Sequence, residues 1–89
     1  MRHAARVDTN QAEIVDALRR AGCSVAVTSS LGHGFPDLVV GRHDKNYLIE
    51  IKHGAGKLTD DEREFHEIWR GSVTVVRSVD QALAAVGAV

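Results

Sequence analysis

Asp37, Glu50 and Lys52 are the residues of this chain whose types and spacing could do chemistry together. Two carboxylates and an ammonium brought to one point could hold a divalent cation and an attacking water against a phosphodiester. Carboxylates at close range raise one another's pKa and stay ionised together only if a positive charge compensates them. A hard cation supplies that charge: Mg²⁺ prefers oxygen ligands, needs only one or two protein carboxylates, and fills its other positions with water or phosphate oxygens. Such an ion lowers the pKa of a bound water, orients it for in-line attack and neutralises charge building on the phosphate. Lys52 would work beside it as a point charge, donating to the water or the phosphate. The pattern predicts metal-assisted phosphodiester hydrolysis.

Meeting at one point requires particular local structure. Leu38 to Gly41 (LVVG) and Tyr47 to Lys52 (YLIEIK) are apolar and β-branched, and the polar stretch Arg42 to Asn46 between them is turn-like, so the pair reads as a β-hairpin. Pro36 cannot donate to a sheet ladder and belongs at a strand's start, which leaves Asp37 at the mouth of the first strand. In the second strand Leu48, Glu50 and Lys52 share one face, Ile49 and Ile51 the other. Glu50 and Lys52 then lie about 7 Å apart along the strand, and paired strands about 4.8 Å apart bring Asp37 opposite Glu50. Without such convergence, Glu50 and Lys52 would be an ordinary solvated ion pair.

Three stretches carry a wider likeness: VDTNQAEIVDALRRAG, then GHGFPDLVVG, then YLIEIKHGAGKLTDDEREFHEIWRGSVTVVRS. Together they resemble the PD-(D/E)XK nuclease superfamily, and within it the small VRR-NUC domains, which are similar to Holliday-junction resolvases. The resemblance covers nearly the whole chain and implies one VRR-NUC-type domain over residues 1–89. The implied fold class is α/β, a restriction-endonuclease-like αβββαβ core with a mixed central sheet flanked by helices and an extra C-terminal helix. It implies Asp37, Glu50 and Lys52 as catalytic residues. Asp37, Glu50, the backbone carbonyl of Ile51 and Glu13 would ligate Mg²⁺ or Mn²⁺, with Lys52 partnering the attacking water. Branched DNA, such as a four-way junction, is the implied substrate, and a homodimer the implied assembly.

One departure from the family pattern falls on Glu62. Members carry Gln in the helix after the catalytic strand, in a pattern like LT-x-x-Q-x-x-F, whereas this chain reads Leu58-Thr59-Asp60-Asp61-Glu62-Arg63-Glu64-Phe65. A Gln there could reach a water or phosphate; a Glu would repel phosphate unless it touched the metal. Thr59-x-x-Glu62 is also a capping box, with Asp60 and Asp61 favourable in a helix's first turn. The capping role leaves room for a second.

Elsewhere the pattern is regular. A helix is expected from about Thr9 to Ala21, with Asp8 or Thr9 as N-cap, an apolar stripe of Ile14, Val15, Leu18 and Ala21, and Gly22 as its stop. Glu13 borders that stripe, where it could lean over the sheet or stand solvated. Ser24 to Ser29 reads as a strand leading into a Gly-rich loop, Leu31 to Phe35, able to bring backbone close to bound nucleic acid. A helix over about Asp60 to Arg70 should pack through Phe65, Ile68 and Trp69 and stop at Gly71. VTVVR (Val73 to Arg77) reads as a buried strand, and Ser78-x-x-Gln81 caps a last helix through Ala82, Leu83 and Val86. The order is α-β-β-β-α-β-α.

Composition bounds the rest. Eighty-nine residues make a small domain, which buries only about 60–65% of its unfolded-chain surface, so a partner subunit is expected. Cys23 is the only cysteine, which excludes an internal disulfide and a cysteine metal site; it reads as a packing residue at a strand's start. The five histidines share no metal-ligand spacing. No apolar run reaches membrane-spanning length and no signal peptide is visible, so a cytoplasmic protein with no membrane partner is expected. The net charge of −1 argues against a nucleic-acid partner. Its distribution answers the objection: Asp60, Asp61, Glu62, Glu64 and Glu67 crowd one helix, leaving Arg2, Arg6, Arg19, Arg20, Arg42, Lys45 and Lys57 for phosphates. Ser30, His33, Arg42, Lys45 and Lys57 are the candidate DNA contacts, the last three expected within reach of the hairpin's mouth. The alternative is a catalytically silent DNA-binding or assembly module that keeps the nuclease fold.

Overall fold

The computed structural model describes residues 9–89; the expectations placed on Arg2, His3, Arg6 and Asp8 lie outside them. Its elements are α1 (Gln11–Arg20), β1 (Ser24–Val27), β2 (Leu38–Arg42), β3 (Lys45–Ile51), α2 (Asp60–Ile68), β4 (Val73–Val76) and α3 (Val79–Ala85), in the order expected. The strands form one mixed sheet, β1-β2-β3-β4, antiparallel from β1 to β3 and parallel between β3 and β4. A parallel pair cannot be joined by a tight turn, and α2 is the crossover that joins this one. The chain is therefore an α/β fold of a four-stranded mixed sheet and three helices.

One face of the sheet is dry. Leu38, Val40, Ile49, Ile51 and Val76 point from it onto Ile14, Val15 and Leu18 of α1 and Ala82 and Val86 at the end of the chain, all in one buried cluster. Each large aliphatic side chain removed from water here contributes about 1.5–3 kcal/mol. The helix α1 stops as its sequence dictates: Gly22 takes φ +92°, its N–H bonds Arg19 O, and Cys23 N–H bonds Leu18 O at 3.0 Å, a Schellman ending that turns Cys23 into the core.

At its other end α1 departs from expectation. The N-cap is Asn10 and not Asp8 or Thr9, and its side chain caps nothing. Asn10 Nδ2 instead donates to the carbonyls of Lys52 (3.4 Å) and Arg77 (3.3 Å), which end β3 and run on from β4. The amide N–H groups thus tie two strand ends together, while Asn10 Oδ1, the atom that could cap a helix N–H, is left buried without a partner.

The hairpin is tighter than the polar stretch suggested. Arg42 pairs with Lys45, and only His43 and Asp44 form the turn, with φ of 51° and 64°. Both positive values match the type I′ geometry that follows the natural twist of two strands.

The loop between β1 and β2 also behaves differently from a nucleic-acid-facing loop. Gly34, at φ +79°, brings its backbone against the first turn of α2, where an added Cβ would stand 2.3 Å from Asp61 O and 2.9 Å from Glu62 N. The close approach that Gly34 allows is to the protein's own helix. Beside it Phe35 meets Phe65 edge to face, 5.4 Å between centroids. These contacts matter because α2 has no buried residue: Ile68 is 66% exposed, and Trp69 has left the helix to stack on Phe65 at 5.0 Å. The expected packing through Ile68 is not made, since the core lies on the sheet's opposite face.

Gly34→Ala should lower stability by about 1–3 kcal/mol in chemical denaturation, through its positive φ and its collision with α2. Gly32→Ala, at φ +76° with nothing within 4 Å, should cost less. Equal losses would show that the α2 contact carries no weight.

Candidate active site

Register alone brings the expected residues together. Leu38 pairs with Ile49, so the next opposing pair is Asp37 and Glu50, and the one after is Pro36 and Ile51. Proline has no N–H to give, and the Pro36 carbonyl is taken by the Thr28 hydroxyl at 2.7 Å. Ile51 N–H turns instead to Asp37 Oδ2 at 2.7 Å. Thr28 N–H also holds the Asp37 carbonyl at 2.7 Å, so the aspartate is fixed at its backbone and at its side chain. The N–H and carbonyl of a strand residue point to the same side of the strand, which turns the Ile51 carbonyl toward Asp37's edge.

Glu50 is only 2% exposed on the sheet face opposite the core, and its Oε1 has no hydrogen-bond partner. Lys52 follows on the same face, 13% exposed, with Nζ 3.7 Å from Glu50 Oε2 and 2.7 Å from Glu62 Oε1. Burial, then the charges of Asp37 and Glu62 and a hydrogen bond with Asp37, push the Glu50 carboxyl up to about 9 against the opposing pull of Lys52. One lysine does not compensate this group of carboxylates.

Glu62 comes from the first turn of α2. The capping box is formed in both directions: Thr59 Oγ1 accepts from Glu62 N–H (3.2 Å), and Glu62 Oε1 accepts from Thr59 N–H (2.9 Å). Burial would raise the Glu62 carboxyl, but its bonds to Lys52 and Thr59 prevail and leave it below the ordinary value. One turn on, His66 has a buried Nε2 with no partner, and burial together with Lys52 lowers its pKa against the pull of Glu62. Residue spacing gives none of the five histidines a metal-ligand role and leaves His66 unassigned; its i, i+4 spacing from Glu62 on one helix is the signal that joins it to the site.

The other expected residues fall elsewhere. Glu13 is exposed and lines an open cavity of about 400 Å³ with Asn10, His53, Arg77 and Asp80. Among the described residues, no three His, Cys, Asp or Glu side chains are gathered as a metal cage. Ser30 and His33 are exposed in the loop before Asp37, and Lys57 is exposed in the loop after Lys52, so all three flank the site's end of the sheet. Arg42 and Lys45 do not: they close the hairpin at its far end, about 17 Å away by strand rise, and Arg42 Nη1 bonds Val86 O. Their expected nearness is corrected by the hairpin itself, whose turn and mouth are opposite ends. Two neighbours escaped sequence reasoning altogether: Thr28, which fixes Asp37, and Arg77, which bonds the Gly54 and Gly56 carbonyls at 2.8 Å each and shapes the loop beyond Lys52.

Compared with known protein families, curated proteins and solved structures, the chain finds no match. No helix among the described residues is long and apolar enough to cross a membrane.

The Glu50 shift sets a pH dependence for the metal-free protein. The folded chain holds this proton up to about 9 while the unfolded chain releases it near 4.5, so between those values the folded state binds more protons and loses stability as pH rises. Glu50→Gln should flatten that slope and, in EDTA at pH 8, stabilise the protein by more than about 1 kcal/mol, the free energy of one pKa unit. Thermal melts at pH 5 and pH 8 check this; parallel behaviour of the two proteins would contradict it.

Proposed function

We propose that this chain is a Mg²⁺- or Mn²⁺-dependent DNA endonuclease with a restriction-endonuclease-like core, of the PD-(D/E)XK type and similar to VRR-NUC domains. The observation that carries the reading is Glu50: a carboxylate withdrawn from water beside a second carboxylate, with one oxygen unpartnered, next to a lysine. A purely structural sheet position would be filled better by an aliphatic residue, since a buried charge without full compensation is expensive.

That unpartnered oxygen, with two oxygen-donor side chains at one point, fits a hard divalent cation. Asp37 and Glu50, joined by the Ile51 carbonyl, would hold it. When bound, such an ion supplies Lewis acidity, lowering the pKa of a water and offsetting charge on the phosphate. The chain's own contributions are orientation and electrostatics. Asp37 keeps its direction through Ile51 N–H, and the sheet keeps bulk water from Glu50. Lys52 presents its ammonium charge to a phosphate oxygen or the attacking water. Glu13, exposed on α1 in the neighbouring cavity, is given no part in this reading.

Ser30, His33 and Lys57 are the phosphate contacts that suit this reading, because their loops border the site. Four-way junctions are the preferred substrate in it, and cutting opposed strands of a two-fold junction calls for two sites in a homodimer.

Synthetic junctions, forks and linear duplexes incubated with Mg²⁺, Mn²⁺ or EDTA test the proposal. Metal-dependent cleavage is expected, strongest on junctions. Lys52→Ala and Asp37→Ala should each reduce it by at least about 10²–10³-fold with the fold retained. Undiminished cutting by either variant sinks the mechanism, and equal binding of DNA in EDTA without any cutting favours a silent binding module.

A further inference from the structure

Lys52 stands between two carboxylates and is hydrogen-bonded to the farther one in sequence. Its Nζ is 2.7 Å from Glu62 Oε1 and 3.7 Å from Glu50 Oε2. We propose that Glu62 is a positioning residue for Lys52, holding the ammonium off Glu50 so that the Asp37–Glu50 pair stays open to a divalent cation. The inference rests on the nuclease reading of the same site.

A lysine is a compact charge on a flexible four-carbon stem. Beside a buried carboxylate with a vacant oxygen, such a stem left unheld would close onto it, because the attraction grows as water is excluded. The chain's own lysine would then occupy the place of the cation. Glu62 prevents this with an oxygen that is itself held. The same Oε1 accepts Thr59 N–H at 2.9 Å, so the carboxylate is ordered by the helix cap before Lys52 reaches it. Being in the first turn of α2 also favours its negative charge.

The placement of Glu62 depends in turn on how α2 is seated. Gly34 lies against the backbone of Asp61 and Glu62, where no Cβ would fit, and Phe35 abuts Phe65. The loop that ends at Pro36-Asp37 therefore positions both the aspartate and, through α2, the lysine. A Gln at position 62 could accept the same two hydrogen bonds without the charge, which separates holding from simple attraction.

Mn²⁺ affinity, measured by titration calorimetry on the full chain without DNA, tests the inference apart from catalysis. Glu62→Ala should weaken Mn²⁺ binding about 10–100-fold, the range for loss of a supporting partner at a metal site. Glu62→Gln should remain within about threefold of wild type, under 0.7 kcal/mol in binding free energy. The deciding variant is Lys52→Met in the Glu62→Ala background. If the lysine is what blocks the site, removing it restores Mn²⁺ affinity to within about threefold of Lys52→Met alone, a coupling that loss of a helix cap would not produce. The Thr59 hydroxyl still caps α2 in Glu62→Ala, and circular dichroism verifies that it folds. Glu62→Ala binding Mn²⁺ as tightly as wild type overturns the inference, as does Glu62→Gln behaving like Glu62→Ala or a double variant that stays weak. Wild type that binds no Mn²⁺ overturns the underlying metal reading and the inference with it.

Discussion

A carboxylate buried in a β-sheet beside a second carboxylate is the constraint around which this molecule is organised. Glu50 is inside because its strand alternates: Ile49 and Ile51 must face the core, so residue 50 must face the other way, under α2 and next to Asp37. Moving it out would require slipping the register, which would expose the whole apolar row. The fold's best-determined feature, its dry face, thus forces an unfavourable one on the opposite face. Ionising a carboxyl buried here is costly, so without a cation the group keeps its proton up to about 9, and a cation at this point would relieve that cost.

The supports of the site come from places distant in sequence. Pro36 leaves Ile51 N–H without a ladder partner, and Asp37 takes it. Thr28 holds the carbonyls on both sides of the Pro36–Asp37 bond. Asn10 ties the backbone of Lys52 to that of Arg77 where β3 and β4 end. The helix α2, with no buried residue, is fastened by the Gly34 contact, the Phe35–Phe65 pair and the Lys52–Glu62 ion pair. Site geometry and the attachment of α2 are accordingly the same set of interactions, and a change to one acts on the other.

Much of this was legible from residue order, for a reason that can be stated. The meeting of Asp37, Glu50 and Lys52 follows from period-two alternation and antiparallel pairing, which are local rules, and the stops at Gly22 and the cap at Thr59-x-x-Glu62 are local too. What failed depended on direction or on tertiary placement. Arg42 and Lys45 are near Asp37 in sequence but at the hairpin's other end, and Gly34 serves a helix that sequence could not seat. The N-cap falls on Asn10, one residue beyond Thr9, and its side chain donates across the molecule to the Lys52 and Arg77 carbonyls. The second bond of Glu62, to Lys52, became visible only with α2 in position over the sheet.

Crystals grown with Mn²⁺ and measured for anomalous scattering test the central claim most directly, because they locate the ion without reference to any substrate. The account predicts an anomalous peak held by the side chains of Asp37 and Glu50 and by the Ile51 carbonyl, with Lys52 still paired to Glu62. Density lying instead among Glu13, His53 and Asp80, or full occupancy of the Glu50 pocket by Lys52 Nζ with no ion bound, would contradict it.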